Sequence, residues 1–236
     1  WRERAIPMLA HSIEAARVSK ARLILPGNVY NFGPDAGLML REDSPQNPLT
    51  RKGAVRVEME QMMQDAAHEG VRSLVLRAGD FFGGHGPSSW FTTILVKPGR
   101  PIRSVTFPGE AEVGHSWAYM PDVAQTIVRL VSLETPLSNF EVFHFSGHWT
   151  PRCIDMAESI RRAAGRDLPI RTLPWALVYL AAPFVTLLRE IIEVRYLWKV
   201  PMRLDNRKLL SVLGAEPHTD LDAAVKHSLQ QLGCLA

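Results

Sequence analysis

The sequence predicts an α/β fold with a parallel sheet and a smaller, mostly helical second lobe. Three observations predict it. Short, wholly apolar runs alternate with segments whose apolar residues recur at helical spacing. Long loops rich in glycine and proline follow the carboxyl ends of those runs. Beyond about residue 150 the pattern becomes mostly helical, punctuated by Pro174, Pro183 and Pro201.

The elements follow in order. Ile6, Leu9, Ile13 and Ala16 predict an amphipathic helix over residues 3–18. Arg22 to Pro26 is a short apolar strand of the kind that helices cover on both faces. Residues 27–51 form a long loop, a length usually tied to function. A helix runs from Gly53 to Glu69 and stops at Gly70, and Val71 to Arg77 is the next strand. Residues 78–87 form a Gly-rich loop, and 88–97 look helical. Arg103–Phe107 reads as a strand, and Pro121–Leu133 as a helix with proline in its first turn. Phe140–Phe145 reads as a strand, and Thr150–Ala164 as a helix started by Thr150-Pro151.

The chain has 236 residues, 46% hydrophobic and 22% charged, enough for a large domain or a domain plus a smaller lobe. A net charge of +3, with scattered Lys and Arg and no basic stripe, argues against a nucleic-acid partner. Cys153 and Cys234 match no metal or redox spacing, so a reducing, cytoplasmic location is expected. The apolar run 173–188 contains two prolines and is shorter than the ~20 residues a spanning helix needs. No membrane partner is expected. The run is read as a buried or lobe-packing helix, with a membrane-surface or homodimer contact as alternatives. His144 and His148 have metal-like spacing but lie on a strand and the following turn with no evident acidic partner, so no metal is expected.

Three landmarks, in order, resemble one family. Arg22-Leu-Ile-Leu-Pro-Gly-Asn-Val-Tyr30 is similar to a strand followed by a Val-Tyr-Gly turn. Leu76-Arg77 through Gly83 is similar to Leu-Arg-x-x-Asn-x-x-Gly. Trp117-Ala-Tyr-Met-Pro-Asp122-Val-Ala is similar to aromatic-x-His-Val-x-Asp-Val-Ala, and Leu213-Gly214-Ala-Glu-Pro217 completes the set. Together they resemble the extended short-chain dehydrogenases, the NAD-dependent epimerase/dehydratase family. The resemblance implies the C-terminal part of a Rossmann-like domain over residues 1–150 and a substrate lobe over 151–236, with 84–118 contributing to that lobe. It also implies about 80 residues upstream, which would carry the Gly-rich turn for the cofactor pyrophosphate.

The family uses a tyrosine to move a proton, a lysine four residues on to hold the cofactor ribose, and a serine on the preceding strand. Here those positions hold Lys52, Arg56 and Pro26. Residues i and i+4 share a helix face, so the pair can still act together. Proline has no hydroxyl, and Arg56 keeps a positive charge but will not titrate. Three readings stay open: a lysine-based proton relay, a solvated or anion-binding Lys/Arg pair, or a different register with Tyr30 or Tyr119 as the acid–base group.

The resemblance further implies that NAD or NADP is the cofactor, bordered by Pro26, Arg56, Ala78 and Phe81. A small-molecule substrate, a carbonyl or hydroxyl compound such as a sugar, would meet Asn28, Asp80, Phe82, Trp90, His115 and Trp117. Asp80 stands where the family has asparagine, and His115 where many members carry an arginine for the diphosphate. The other reading of the same departures is a dinucleotide-binding sensor that does not turn its cofactor over.

Overall fold

The computed structural model describes residues 1–84, 89–133 and 137–235. Its elements are α1 (Arg2–Ser19), β1 (Leu23–Gly27), β2 (Met39–Leu40), α2 (Arg51–His68), β3 (Ser73–Arg77), β4 (Asp80–Phe82), β5 (Val105–Phe107), β6 (His115–Tyr119), α3 (Met120–Val131), β7 (Phe140–His144), β8 (His148–Thr150), α4 (Ile154–Ala164), β9 (Ile170–Thr172), α5 (Trp175–Ala181), α6 (Thr186–Glu193), β10 (Arg203–Leu204), α7 (Arg207–Leu213) and α8 (Leu221–Gln231). They form two compact units. One holds residues 1–78, 126–145 and 204–216; the other holds 79–125, 146–203 and 217–236.

The first unit is an α/β layer. Its sheet is parallel in the order β1-β3-β7, with Leu25 opposite Val75 and Val75 opposite Val142. Every residue of β3 is buried, as a central strand covered on both faces requires. α1 contributes Leu9, Ile13 and Ala16 to the core, and α2 contributes Val55, Met59, Met63 and Ala66. Both sets follow the helical period, so each helix turns one apolar stripe inward. Thr50 caps α2 by accepting a hydrogen bond from the Gly53 N–H at 2.9 Å, which starts the helix two residues before the expected Gly53. Among the described residues β1 pairs only with β3.

The second unit has its own core, built around Phe82, Phe91, Trp117, Tyr119, Met156, Ile160, Trp198, Val225 and Leu229. β4 and β6 pair in parallel, β6 and β8 antiparallel, and β5 pairs in parallel with β9. α4 and α8 are tied by Arg162 and Ser159, both donating to Asp222.

Some sequence expectations need correction. Asp80–Phe82 is a strand inside the expected Gly-rich loop, because β6 offers it a partner. Residues 85–87 of that loop, and residue 88 at the start of the next expected helix, lie outside the described residues. The helix itself is a single wide π turn, Phe91–Leu95. Thr150 ends strand β8 instead of opening a helix, which begins at Ile154. The run 173–188 is not one buried helix. The chain breaks between α5 and α6 around Pro183, and Leu177, Leu180, Phe184 and Leu187 face outward. No described helix is long and apolar enough to cross a membrane.

Candidate active site

In the first unit the candidates gather around the amino end of α2. Lys52 is half-buried in its first turn, and Arg56 lies one turn on. Gly53, between them, packs directly on the preceding loop: a Cβ there would meet the Tyr30 carbonyl oxygen at 2.2 Å and Pro48 Cβ at 2.6 Å. Only a residue without a side chain lets the helix approach the Val29–Asn31 turn this closely. That approach brings the Tyr30 phenol near enough to Arg56 to act on it electrostatically.

Arg56 is the most unusual group of this set. Burial pushes its pKa below the usual guanidinium range, opposed by Tyr30 and Glu60. Its guanidinium carbon lies 5.3 Å from the Trp1 ring centroid, and its Nε is buried without a hydrogen-bond partner. A buried, unsatisfied donor is costly and calls for an explanation, and a bound acceptor is one. Arg56 also lines a cavity of about 510 Å³ bordered by Trp1, Met8, Leu23, Leu25 and Met59.

The remaining first-unit candidates are placed as follows. Pro26 is exposed on β1, opposite Leu76. Asn28 caps the short helical turn after β1, its Oδ1 accepting from the Tyr30 N–H at 3.1 Å. Ala78 is fully buried, and its N–H donates to the Gly27 carbonyl at 3.3 Å.

A buried polar network supports this end of α2. Glu60 and Arg77, both under about one-tenth exposed, form a two-pronged ion pair, with Arg77 Nε donating to Glu60 Oε1 at 3.1 Å. Arg77 Nη1 lies 3.1 Å from His144 Nε2, and His144 Nδ1 lies 3.2 Å from the Leu40 carbonyl. A guanidinium can only donate, so Nε2 accepts and the proton sits on Nδ1, facing the carbonyl. Burial and the Arg77 charge together lower the His144 pKa to about 3, so the ring is neutral. Gln46 bridges Glu60 to Asn31, which ties the long loop to α2, β3 and β7. His144 is therefore a structural group, and among the described residues there is no cluster of three or more metal-ligating side chains.

In the second unit Asp80 and His115 stand together. His115 Nε2 donates to Asp80 Oδ2 at 2.8 Å. The imidazole stacks on Trp198, centroids 3.8 Å apart and planes 7° from parallel, with Trp117 at 5.1 Å on its edge. The register explains the pairing: Asp80 lies opposite Trp117 on β6, so His115, two residues back, shares the same sheet face. Phe81 points to the other face and is half-buried. Phe82 and Trp117 are each 1% exposed, and their rings pack on each other and on Phe91, Tyr119 and Trp198. Trp90 is half-buried, its ring edge-on to Trp198 at 5.0 Å.

Three residues with structural roles escape the sequence reading. His227 Nδ1 bonds the Tyr119 hydroxyl, whose pKa is raised by burial and by Asp122. Thr219 donates to Asp122 through its N–H at 2.7 Å and its hydroxyl at 2.8 Å. Trp198 covers His115. All three lie far along the chain from their partners, so no local pattern marks them.

Comparison with solved structures is decisive for the fold. A UDP-galactose 4-epimerase superposes with a TM-score of 0.69 at 18% identity, over 95% of this chain and 67% of that one. The UDP-glucose 4-epimerase from Bifidobacterium longum, in complex with NAD+ and UDP, gives 0.72 at 14% identity over 97% and 69%. The L-threonine 3-dehydrogenase from Trypanosoma brucei gives 0.67 at 20% identity over 96% and 67%. The chain has the fold of the sugar-nucleotide epimerases. It spans about two thirds of the length of these proteins. No family model matches the sequence, and no curated protein does.

Proposed function

We propose that the protein is an NAD(P)-dependent oxidoreductase of the epimerase/dehydratase type, acting on a small carbonyl or hydroxyl compound, with a proton-transfer site of non-standard composition. The observation that carries this is Arg56: a half-buried arginine whose Nε is buried and unsatisfied, one turn beyond Lys52 and beside Tyr30, on a fold shared with proteins solved with NAD, NAD+ and NADPH. The donor set suits a dinucleotide, because a guanidinium can bond ribose hydroxyls or phosphate oxygens and an unfilled donor is what such a group would complete. We assign Pro26 and Ala78, at the carboxyl ends of β1 and β3, to the border of the cofactor position, and Phe81 to the nicotinamide.

When bound, the nicotinamide supplies or accepts hydride. The chain must then move one proton at the substrate oxygen. Lys52 would do this, as an ammonium donating to a carbonyl oxygen in the reducing direction and as an amine accepting from a hydroxyl in the oxidising direction. Arg56 would hold the ribose. Asp80, His115, Asn28 and Trp90 are assigned to substrate, with Phe82 and Trp117 supporting them from the core. The Asp80 carboxylate beside His115 suits a sugar or other neutral polyol better than a phosphate, because like charges repel. A cytoplasmic location and a homodimer belong to the same proposal.

The competing reading, a dinucleotide sensor without turnover, is favoured by the absence of a hydroxyl at Pro26 and of a phenol at position 52. Steady-state turnover of the full-length protein with NADH or NADPH and a panel of ketones and sugars separates the two. The enzyme reading requires turnover that Lys52→Ala reduces by a factor of about 10² or more, the usual size of a general acid–base contribution. If Tyr30→Phe abolishes turnover and Lys52→Ala leaves it intact, Tyr30 is the proton-moving group and the Lys52 assignment is wrong. Cofactor binding with no turnover on any substrate supports the sensor.

A further inference from the structure

The geometry points to an anionic lipid surface as the partner of the α5–α6 hairpin, the membrane-surface alternative that the sequence leaves open for this run. The hairpin is apolar on both of its faces. Val178, Ala182, Ile191 and Val194 are buried, which satisfies the inward face. The outward face is left over: Leu177 is 62% exposed, Leu180 73%, Phe184 88% and Leu187 56%. Tyr179 and Val185 lie among them, also exposed. A soluble helix normally turns charge outward, and an apolar outward face of this size marks an interaction surface.

The charges in and beside the hairpin along the chain choose the occupant. From Arg171 to Arg203 the chain has five basic and two acidic residues, a surplus equal to its whole net charge of +3. Arg171, Arg189 and Arg203 are exposed, Lys199 is exposed but faces Glu110 Oε1 at 3.9 Å, and Glu190 and Glu193 are half-exposed. Arg189 sits at the apex, donating to the Pro183 carbonyl at 3.2 Å and to the Thr186 hydroxyl at 3.0 Å, next to Phe184. Arg195 stacks 4.3 Å from the Trp175 centroid and bonds the Tyr179 hydroxyl at 2.9 Å. An apolar apex with arginines beside it and Trp and Tyr at its base is the pattern of a segment that lies in a bilayer interface. With helices of seven and eight residues it dips into one leaflet and does not span. A second copy is the poorer occupant. A two-fold contact would set this basic patch against itself, and like charges repel across it. Anionic headgroups complement it, adding about 1 kcal/mol of attraction per basic residue near the surface.

The test is co-sedimentation of the full-length protein with vesicles of phosphatidylcholine alone and of phosphatidylcholine and phosphatidylserine in equal parts. The protein should pellet with the mixed vesicles, far less with phosphatidylcholine, and less again in high salt, where screening shortens the reach of charge. Phe184→Asp should lower partition to mixed vesicles about tenfold or more, since a buried aromatic is exchanged for a charge. Arg189→Gln should weaken binding to mixed vesicles while leaving any binding to phosphatidylcholine unchanged. Phe184 is too exposed to support the core, so circular dichroism of the variant should match the parent. The proposal fails if the parent does not pellet with mixed vesicles or if Phe184→Asp pellets as the parent does. It also fails if Phe184→Asp instead dissolves a concentration-dependent dimer seen by sizing.

Discussion

Replacing Arg77 by methionine should be among the most damaging single changes in the first unit. The substitution keeps much of the apolar stem and removes the guanidinium. Glu60 then loses both prongs of its ion pair at 5% residue exposure and keeps the Gln46 hydrogen bond at 3.4 Å and the weaker pull of the Arg56 charge. His144 Nε2 loses its donor at 3.1 Å, and the Phe32 ring loses a cation 5.2 Å from its centroid. Two hydrogen bonds to a charged group contribute about 1.5–3 kcal/mol each, and breaking a buried pair from one side costs about 3–5 kcal/mol. We take about 4 kcal/mol as the expected loss, which at a urea slope of about 2 kcal/mol/M moves the unfolding midpoint by roughly 2 M. The assay is urea unfolding followed by far-UV circular dichroism. The double variant Glu60→Leu, Arg77→Met should recover most of the loss, because removing both charges removes the stranded carboxylate. A midpoint shift under roughly 0.5 M for Arg77→Met, at unchanged slope, would refute the reasoning. So would a double variant weaker than the single one.

Acid should destabilise the protein before its carboxylates titrate. His144 is lowered to about 3 by burial and Arg77, and His148 to about 4 by burial and His218. Both folded values lie below the unfolded one near 6.5, so the unfolded chain binds more protons as pH falls. The stability they carry is full above about pH 6.5 and is lost toward pH 3 for His144 and toward pH 4 for His148, by at most about 5 and 3 kcal/mol respectively. Unfolding midpoints measured from pH 7 to 4.5 should fall, and a flat or rising profile contradicts the assignment. Gly53→Ala should destabilise by about 1–3 kcal/mol despite alanine's better helix propensity, since its Cβ would meet the Tyr30 carbonyl at 2.2 Å. A gain in thermal midpoint would show that the loop yields. Trp117→Phe should cost under about 1 kcal/mol, because the buried indole N–H it removes has no acceptor, whereas Trp117→Ala should cost about 3–5 kcal/mol.

The parallel sheet and its two covering helices were legible because each depends on a local pattern. Leu23–Leu25 and Leu74–Leu76 are continuous apolar runs, and the inward residues of α1 and α2 keep the helical period. Strands β4 and β8 were not legible. Each has three residues and exists because β6 offers a hydrogen-bonding edge, which is a tertiary fact. The hairpin at 175–193 misled for a related reason. Hydrophobicity predicts burial only if enough partner surface exists, and here one face of each helix exhausts it. Within the candidate site, Lys52 and Arg56 were placed by the family resemblance, as the residues that stand where the family has its tyrosine and lysine. The approach of Tyr30 to Arg56 depends on how tightly Gly53 lets a loop pack on a helix, and the Asp80–His115 pair depends on strand register. Trp198 reaches His115 from far along the chain, and no periodicity carries that information.

The central claim is that Arg56 anchors a dinucleotide. Its most direct measurement is titration of the full-length protein with NADPH and NADH, followed by the change in nicotinamide fluorescence, alongside Arg56→Ala and Arg56→Lys. Saturable binding that weakens about tenfold or more in Arg56→Ala, and is partly restored by the lysine variant, is the expected result for a charge-assisted ribose or phosphate contact. Absence of saturable binding to either cofactor, or equal affinity in the parent and Arg56→Ala, would contradict it.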